Sequence, residues 1–231
     1  MDFYLGIDIG TSRVKAVLFD QHFQACASAA QNTGPRLSAN GEAEQDMAQL
    51  WQSVVAILRD IARHPALQNG RLRAIGLAGQ GEGVWLCDAE GEPVGPGILW
   101  SDTRSRELMN ELLSRPGFDR RFFDDTGTHL QPCNTSMQLC WLKHHQPERL
   151  AAARYLFFAK DWIRFRLTGV AALDLTDAST SLLNQQSGKL SAVVLNEMGL
   201  ADLQPLFPPL LAPDAQAGAL REELSLIHIS E

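Results

Sequence analysis

The sequence predicts an α/β fold with a mixed central sheet and flanking helices, and three observations lead to it. Short apolar runs of strand length open the chain and are joined by a Gly-Thr-Ser turn at residues 10–12. A long segment with apolar residues at helical spacing follows, and strand-like and helix-like segments then alternate. An early antiparallel meander followed by this alternation is typical of α/β domains.

The strands are predicted from runs of β-branched, aromatic and small apolar residues. Tyr4–Ile7 and Val14–Phe19 form the first two strands, and Cys26–Gln31 continues the meander. Leu72–Gln80 has the composition of a buried strand that leads into a glycine-rich loop, and residues 84–94 read as a strand with a tight turn.

The first long helix is predicted to begin at Asp46. Its carboxylate caps free amide groups, and Gln49 stands where a capping box requires an acid or amide. Apolar residues then repeat at helical spacing up to Ile61, and Pro65 follows the end. Further helices are predicted over Arg104–Leu113, Ser136–Lys143 and Asp161–Leu167.

Composition excludes several classes of function. The 231 residues include 20 basic and 27 acidic side chains, for a net charge of −7, and no cluster of Lys and Arg with aromatic residues. Binding to nucleic acid is therefore not expected. No apolar run approaches the roughly 20 residues that span a bilayer, and no signal peptide is evident. The four cysteines form no C-x-x-C motif, so we expect free thiols in a cytoplasmic protein.

The turn after the first strand has the chemistry of a phosphate site. Gly10, Thr11 and Ser12 offer backbone amides and hydroxyls, Asp8 can hold Mg²⁺ through its waters, and Lys15 can reach the same phosphates. An unpaired carboxylate at a buried strand end is costly, so a cationic partner of Asp8 is also expected. The alternative is an ordinary hairpin turn with a solvated aspartate.

Four further stretches follow this turn in a fixed order. They are "AGQGEG" (78–83), "ILWSDTR" (98–104), "TGTHLQPCNTSMQLCWLK" (126–143) and "KDWIRFRLTG" (160–169). With "DIGTSRVKAVLFD" they resemble the N-terminal domain of the FGGY carbohydrate kinases, the group of glycerol kinase, xylulokinase, ribulokinase and erythritol kinase. The resemblance runs from Met1 to about Glu223. It implies an actin-like, ribonuclease-H-like fold, in which two such domains clasp ATP and a sugar.

The resemblance also implies roles for single residues. Asp8 matches the family's Mg²⁺-associated aspartate, and the turn with Thr11 and Ser12 matches its first phosphate-binding loop. Lys15 stands where glycerol kinase has an arginine on the phosphates, so it keeps the charge but lacks the bidentate fork. ATP and Mg²⁺ are the cofactors that follow.

The substrate side is implied in the same way. Gln80, Gly81 and Glu82 match the loop that binds substrate hydroxyls in the family. Glu82 would accept hydrogen bonds from these hydroxyls, and the alternative is a solvated loop acid. Trp100 matches a tryptophan that packs on the carbon face of the sugar, with a core role as the alternative. Asp102 either binds substrate or anchors the loop. In addition, residues 160–161 are expected to cap their helix and support the site from behind.

Departures from relatives indicate the size of the substrate. Glycerol kinase has arginine in place of Gly81 and tyrosine in place of Cys133, so the pocket here should be larger. A four- or five-carbon ketose or polyol is expected. Xylulokinase has Met-His in place of Gly81 and Glu82, and the loop is most similar to the "GQGDG" type of erythritol kinases.

The catalytic base of the family, an aspartate in a glycine-rich turn, has no match here. Asp202 and Asp214 lie in Leu- and Pro-rich segments without that turn. We therefore expect the base and a C-terminal ATP-binding domain to lie beyond Glu223, and the chain alone to be inactive. Leu224–Glu231 resembles a translated sequencing adapter and is expected to be non-native, with a short native strand as the alternative.

Two other functions stay open at this point. One is a non-catalytic actin-like ATPase or sugar-responsive module, which would share the Asp8 turn without needing the hydroxyl-reading loop. The other is a sugar-binding domain without a nucleotide. A homodimer of the full-length protein is a further open alternative.

Overall fold

The computed structural model describes residues 1–68 and 70–225. Its strands are β1 (Asp2–Ile9), β2 (Arg13–Asp20), β3 (Ala25–Asn32), β4 (Arg36–Leu37), β5 (Ala43–Gln45), β6 (Arg71–Gly79), β7 (Trp85–Cys87), β8 (Gly97–Ile98), β9 (Tyr155–Phe157), β10 (Leu173–Asp174) and β11 (Leu210–Leu211). Its α-helices are α1 (Met47–Ala62), α2 (Pro65–Gln68), α3 (Arg106–Leu113), α4 (Phe118–Thr126), α5 (Thr135–His145), α6 (Pro147–Ala152), α7 (Ala159–Thr168), α8 (Leu175–Ala178) and α9 (Glu222–Ser225). A π-helical turn, Val193–Glu197, and a 3₁₀ helix, Ala201–Leu206, lie between α8 and β11.

The main sheet has four strands in the order β3-β2-β1-β6. The first three form the predicted antiparallel meander, and β6 joins β1 in parallel after α1. The α/β class and the order of the early elements are thus confirmed. The parallel pairing has a functional consequence, because it brings the carboxyl ends of β1 and β6 to the same edge of the sheet.

Alternation along β1 builds the core on one face of this sheet. Phe3, Leu5, Ile7 and Ile9 are each at most 3% exposed, as period-2 alternation requires. Helix α1 covers the sheet with its own apolar face, which consists of Met47, Leu50, Val54, Ile57, Leu58 and Ile61. Each such side chain contributes roughly 1.5–3 kcal/mol on burial.

Helix α1 begins as its sequence predicts. Asp46 is the N-cap, and its side chain accepts a hydrogen bond from the backbone N–H of Gln49 at 3.0 Å. This bond satisfies one of the amides that lack a partner in the first turn. The cap fixes where the helix starts, directly after the short strand β5.

The prediction that residues 72–80 form a buried strand is wrong in one respect. A strand does form, but none of the residues of β6 is fully buried. The reason is that β6 is the outermost strand in the sheet order, with no described strand on its outer side. A groove of about 700 Å³ runs along β6 instead, with α7 and residues 211–220 on its other walls.

The second half of the chain packs against the first through aromatic side chains. Trp85 of β7 stacks on Trp162 of α7 with 6.4 Å between ring centroids, and both are fully buried. Helix α7 ends at Gly169, whose φ of 77° is the left-handed conformation that glycine adopts easily. Three small sheets complete the architecture, namely β10-β11, β4-β5-β8 and β7-β9.

No helix in the described ranges has both the length and the apolar character needed to cross a membrane. The predicted tail falls largely outside the described residues, since 226–231 are not among them.

Candidate functional site

The two predicted loops start side by side at one edge of the main sheet. In the parallel register, Asp8 lies opposite Ala78 and Ile9 opposite Gly79. The backbone N–H of Gln80 then donates to the carbonyl of Ile9 at 3.0 Å. The phosphate-type turn and the Gln80–Gly83 loop are therefore neighbours, although about seventy residues separate them in sequence.

The turn itself is tight around Gly10. Its N–H donates to the carbonyl of Arg13 at 3.1 Å, and an added Cβ would lie 2.7 Å from that same oxygen. Only glycine fits so close an approach without a backbone shift. The other side of the turn is fixed by Thr33, whose N–H donates to the carbonyl of Ser12 at 2.9 Å.

A chain of side-chain hydrogen bonds joins the two loops. The Thr11 hydroxyl donates to Gln80 Oε1 at 2.8 Å and accepts from Trp100 Nε1 at 3.0 Å. The amide of Gln80 donates to Gln45 Oε1 at 3.0 Å, and Gln45 Nε2 donates back to the carbonyl of Thr11 at 3.3 Å. Thr11, Gln80 and Trp100, which were predicted separately, thus form one connected unit with Gln45.

Asp8 differs from the expectation of a buried, paired carboxylate. Its side chain is exposed at the sheet edge, and the contacts of the described residues include no ion pair for it. Lys15 is also exposed and lies directly opposite Asp8 in the β1–β2 register. Because water solvates the exposed carboxylate, the structure does not need the cation that burial would require.

This arrangement fits a magnesium ion that is held mainly by phosphates and water. Among the described residues, no group of three or more His, Cys, Asp and Glu side chains could enclose a metal. Mg²⁺ usually keeps several waters and binds to one or two carboxylates and to substrate phosphates. The exposed Asp8, next to the Gly10–Ser12 turn and opposite Lys15, has the donor set of such a site.

Glu82 is held firmly in an unusual backbone conformation. Its φ of 55° lies in the left-handed region, which non-glycine residues rarely adopt. Its Oε2 accepts from the N–H and hydroxyl of Thr135, each at 2.8 Å, and from Ser181 Oγ at 3.2 Å. Its Oε1 accepts from Asn134 Nδ2 at 2.9 Å. The carboxylate thus lies at the N-terminus of α5, where the helix dipole favours negative charge.

Trp100 and Asp102 belong to one loop but differ sharply in exposure. Trp100 is 50% exposed, so a large part of its ring faces outward and the alternative of a core tryptophan does not describe it. Asp102 is fully buried and pairs with Arg104, whose Nη2 lies 2.8 Å from Asp102 Oδ2. The same oxygen accepts from the Ala43 N–H at 2.7 Å. These contacts favour loop anchoring for Asp102 over substrate contact.

The predicted capping role of residues 160–161 is wrong. The N-cap of α7 is Phe158, and no side chain makes the capping bond. Asp161 lies inside the first turn and is fully buried. Its Oδ2 accepts a hydrogen bond from the Asp174 N–H at 3.0 Å, and its Oδ1 lies 3.0 Å from Arg164 Nη1. Burial raises the pKa of Asp161 to about 6, although Arg164 acts in the opposite direction.

Beneath the Gln80–Gly83 loop lies a second carboxylate. Asp177 Oδ2 accepts a hydrogen bond from Lys160 Nζ, which is also 3.6 Å from Asp174 Oδ1. Burial raises the pKa of Asp177, and the Lys160 ammonium lowers it. An added Cβ on Gly81 would lie 3.1 Å from Asp177 Oδ1, so this carboxylate is directly against the loop.

Several residues at the site were missed by sequence reasoning. They are Gln45, Asn134, Thr135, Asp174, Asp177 and Ser181. The stretch "LDLTDASTS" at 173–181 carried a usable signal, because Asp174 followed three residues later by Asp177 is a helix N-cap pattern. Gln45 carried none, since a single glutamine before a helix is common in any surface turn.

Comparison with known proteins gives a consistent result. Residues 3–228 match the family model described as "FGGY family of carbohydrate kinases, N-terminal domain". An erythritol kinase from Brucella abortus is 35% identical over 211 residues, covering 91% of this chain and 40% of that protein. The xylulose kinase of Escherichia coli is 31% identical, covering 96% of this chain and 45% of that protein.

Solved structures agree. A "xyloylose kinase" from Brucella ovis matches with a TM-score of 0.86 at 34% identity, covering 97% of this chain and 45% of that one. The Plasmodium falciparum glycerol kinase, solved with ADP, matches with a TM-score of 0.89 at 21% identity, covering 99% of this chain and 46% of that one. At this low identity, the match supports the fold alone. The actin-like fold is confirmed. The chain spans less than half the length of these relatives.

Proposed function

This chain belongs to the FGGY family of carbohydrate kinases, and on that basis we propose that it forms the sugar-binding half of an ATP-dependent kinase. The acceptor is the terminal hydroxyl of a four- or five-carbon ketose or polyol, of the xylulose, ribulose or erythritol type. The relatives reported above, an erythritol kinase and xylulose kinases, support this substrate class.

One observation carries the proposal. Thr11 of the phosphate-type turn is hydrogen bonded to Gln80 of the hydroxyl-reading loop and to Trp100 of the sugar-stacking loop. A phosphoryl donor and an acceptor hydroxyl that bind to these loops are thereby brought to the same sheet edge. Bringing the reactants together is the main task of a protein in phosphoryl transfer.

On the nucleotide side, the backbone amides of Thr11 and Ser12 and the Ser12 hydroxyl bind phosphate oxygens, because the hydroxyl hydrogen of Thr11 is already donated to Gln80. Lys15 adds a positive charge, and Asp8 holds Mg²⁺, which neutralises charge on the phosphates when bound. The exposure of Asp8 and Lys15 leaves both side chains available to a ligand. Because ATP is the phosphoryl donor, we also propose a cytoplasmic location.

On the sugar side, the exposed face of Trp100 packs against the carbon chain. Glu82 has one oxygen with three described donors and another, Oε1, with one, so Oε1 keeps a lone pair for a sugar hydroxyl. Gly81 contributes no side chain to this region, which suits a substrate longer than glycerol.

We further propose that residues 1–223 are one domain and that chemistry needs a base and an ATP-binding domain which these residues do not supply. Loss of a general base alone slows a reaction roughly 10²–10⁴-fold. The 231-residue chain assayed by itself should therefore fail to release ADP at the rate of an intact kinase.

The test is a substrate panel with the full-length gene product. Erythritol, D- and L-xylulose, D- and L-ribulose and glycerol are each supplied with Mg-ATP, and ADP release is coupled to a spectroscopic signal. Turnover of at least one four- or five-carbon substrate in preference to glycerol is expected. Activity on glycerol alone would contradict the size argument, and activity on none would overturn the proposed function.

A further inference from the structure

The floor of the sugar site carries a carboxylate with one oxygen unoccupied. Asp177 Oδ2 is bound by Lys160, whereas Oδ1 has no hydrogen-bond donor among the residues that the structure describes. Both side chains of the pair are 13–14% exposed. A mostly buried carboxylate with a free lone-pair face is a strong acceptor, because a hydrogen bond to a charged group exceeds one between neutral groups.

The geometry of Gly81 shows where this free oxygen points. An ideal Cβ on Gly81 would meet Asp177 Oδ1 at 3.1 Å and Cγ at 3.8 Å, and no other described atom outside its chain neighbours within 4 Å. The described atoms nearest to that position thus belong to the Asp177 carboxylate, and its Oδ1 faces Gly81. A hydroxyl that binds beside Gly81 would therefore meet Oδ1.

The surroundings hold Asp177 in place. Asp174 caps α8 and accepts the N–H of Asp177 at 3.0 Å, and Ser181, one helical turn later, donates to Glu82. Lys160 lies under Gly79, where an added Cβ would be 3.2 Å from the lysine Cβ. Asp177 is thus held in position relative to Gly79, before the Gln80–Gly83 loop, and to Glu82 within it. A residue that selects a ligand must be fixed in this way.

We propose that Asp177 is a specificity-determining residue of this site, whose Oδ1 accepts a hydrogen bond from one hydroxyl of the sugar or polyol beside Gly81. The inference rests on the proposed function. It adds a contact at the floor of the pocket to those of Glu82 and Trp100. Lys160 acts through Asp177, as a positioning residue that keeps the carboxylate ionised and oriented.

Sugar binding by the 231-residue chain, measured by titration calorimetry, tests the proposal. The panel is erythritol, D- and L-xylulose and D- and L-ribulose, followed by each monodeoxy analogue of the tightest binder. For D177N we expect the affinity for the parent sugar to fall roughly ten- to hundredfold, the loss of one charged hydrogen bond. For the analogue that lacks the contacted hydroxyl, the affinity of D177N and that of the unsubstituted chain should agree within about twofold.

Two further variants separate this contact from a general effect on folding. G81A adds a methyl group 3.1 Å from Oδ1, which blocks the approach of a hydroxyl but keeps the Asp177 carboxylate, and the Gly81 backbone is not in the left-handed region. G81A should lose the same preference for the parent sugar over the deoxy analogue. The double variant of D177N and G81A should lose no more of this preference than either single variant. D202N is the matched control, since Asp202 pairs with Lys143 on the surface and is 61% exposed.

Each outcome decides something. Equal weakening for the parent and every analogue, or unchanged affinity in both D177N and G81A, would overturn the role of Asp177 and leave the proposed function standing. If the unsubstituted chain binds no sugar of the panel, the proposed function fails, and the inference falls with it.

Discussion

At the scale of single residues, exposure separates the side chains that serve the fold from those available to a ligand. Asp8, Lys15 and Trp100 are exposed, whereas Asp102 and Asp161 are fully buried and paired. The sequence motif places Trp100 and Asp102 two residues apart, so burial and not the motif tells their roles apart. The two groups should respond to substitution in different ways.

Substitution of Asp8 should affect ligand binding but not folding. Because Asp8 is exposed and without a described ion pair, D8N should change the free energy of unfolding by no more than about 0.5 kcal/mol. It should abolish the protection that Mg-ATP gives to the amides of residues 10–15 in hydrogen exchange. D60N, at an exposed position on α1, is the control, and protection that survives in D8N would contradict the metal role.

Asp161 should make stability depend on pH in a defined window. Its pKa is raised to about 6 in the folded protein, from 3.8, because burial disfavours the charged form. The folded state therefore binds the proton more tightly, and this contribution is complete below pH 3.8 and lost as the pH rises through about 6. Its size is at most ~3 kcal/mol.

Urea unfolding of the parent chain and D161N from pH 4 to pH 8 measures this effect. The stability of the parent relative to D161N should fall between pH 4 and pH 6 and then level off. A difference that is constant over the whole range would show that Asp161 has an ordinary pKa.

At the scale of elements, the Gln80–Gly83 loop is attached to the rest of the molecule through Glu82. Its carboxylate receives hydrogen bonds from the start of α5 and from Ser181. The loop thus takes its shape from tertiary contacts that lie more than fifty residues away. It is anchored by the same residue that is proposed to read a hydroxyl.

Removal of this carboxylate should cost stability as well as sugar affinity. E82A leaves the donors of Asn134, Thr135 and Ser181 without their acceptor, and we expect a loss of about 2–4 kcal/mol in the free energy of unfolding. E90A, at an exposed acid in the turn after β7, should stay within about 0.5 kcal/mol. Equal melting temperatures for E82A and the parent would refute the anchoring role.

Sequence reasoning worked where local chemistry decides the structure. The Asp46 cap and the meander follow from residues within a few positions of each other. It failed where distant segments decide. The exposure of Asp8 and β6, the hydrogen bond from the Ala43 N–H to Asp102 and the position of Asp177 under Gly81 depend on which strands and helices become neighbours.

At the scale of the whole molecule, β6 leaves one edge of the main sheet open. The nine-residue strand has no described strand on its outer side, and its residues line part of a groove of about 700 Å³. Long open edges of a sheet can pair with other chains. Concentrated samples of the chain should associate through this edge.

A single charge on the strand should suppress that association. Ala74 is exposed on β6, and A74K should lower the fraction of oligomer at a given concentration in sedimentation velocity runs. A48K adds the same charge at an exposed position on α1 and should leave association unchanged. If both variants behave alike, net charge and not the strand edge is responsible.

The double hydrogen bonding of Thr11 has a consequence for how two ligands would influence each other. If a sugar orders the Trp100 ring as proposed, it also restrains the Thr11 hydroxyl that the indole contacts, and with it the turn proposed to bind the nucleotide. Linkage requires that, if the sugar raises the affinity for the nucleotide by some factor, the nucleotide raises the affinity for the sugar by the same factor. The dissociation constants of each ligand, measured with and without the other, would have to give one common ratio.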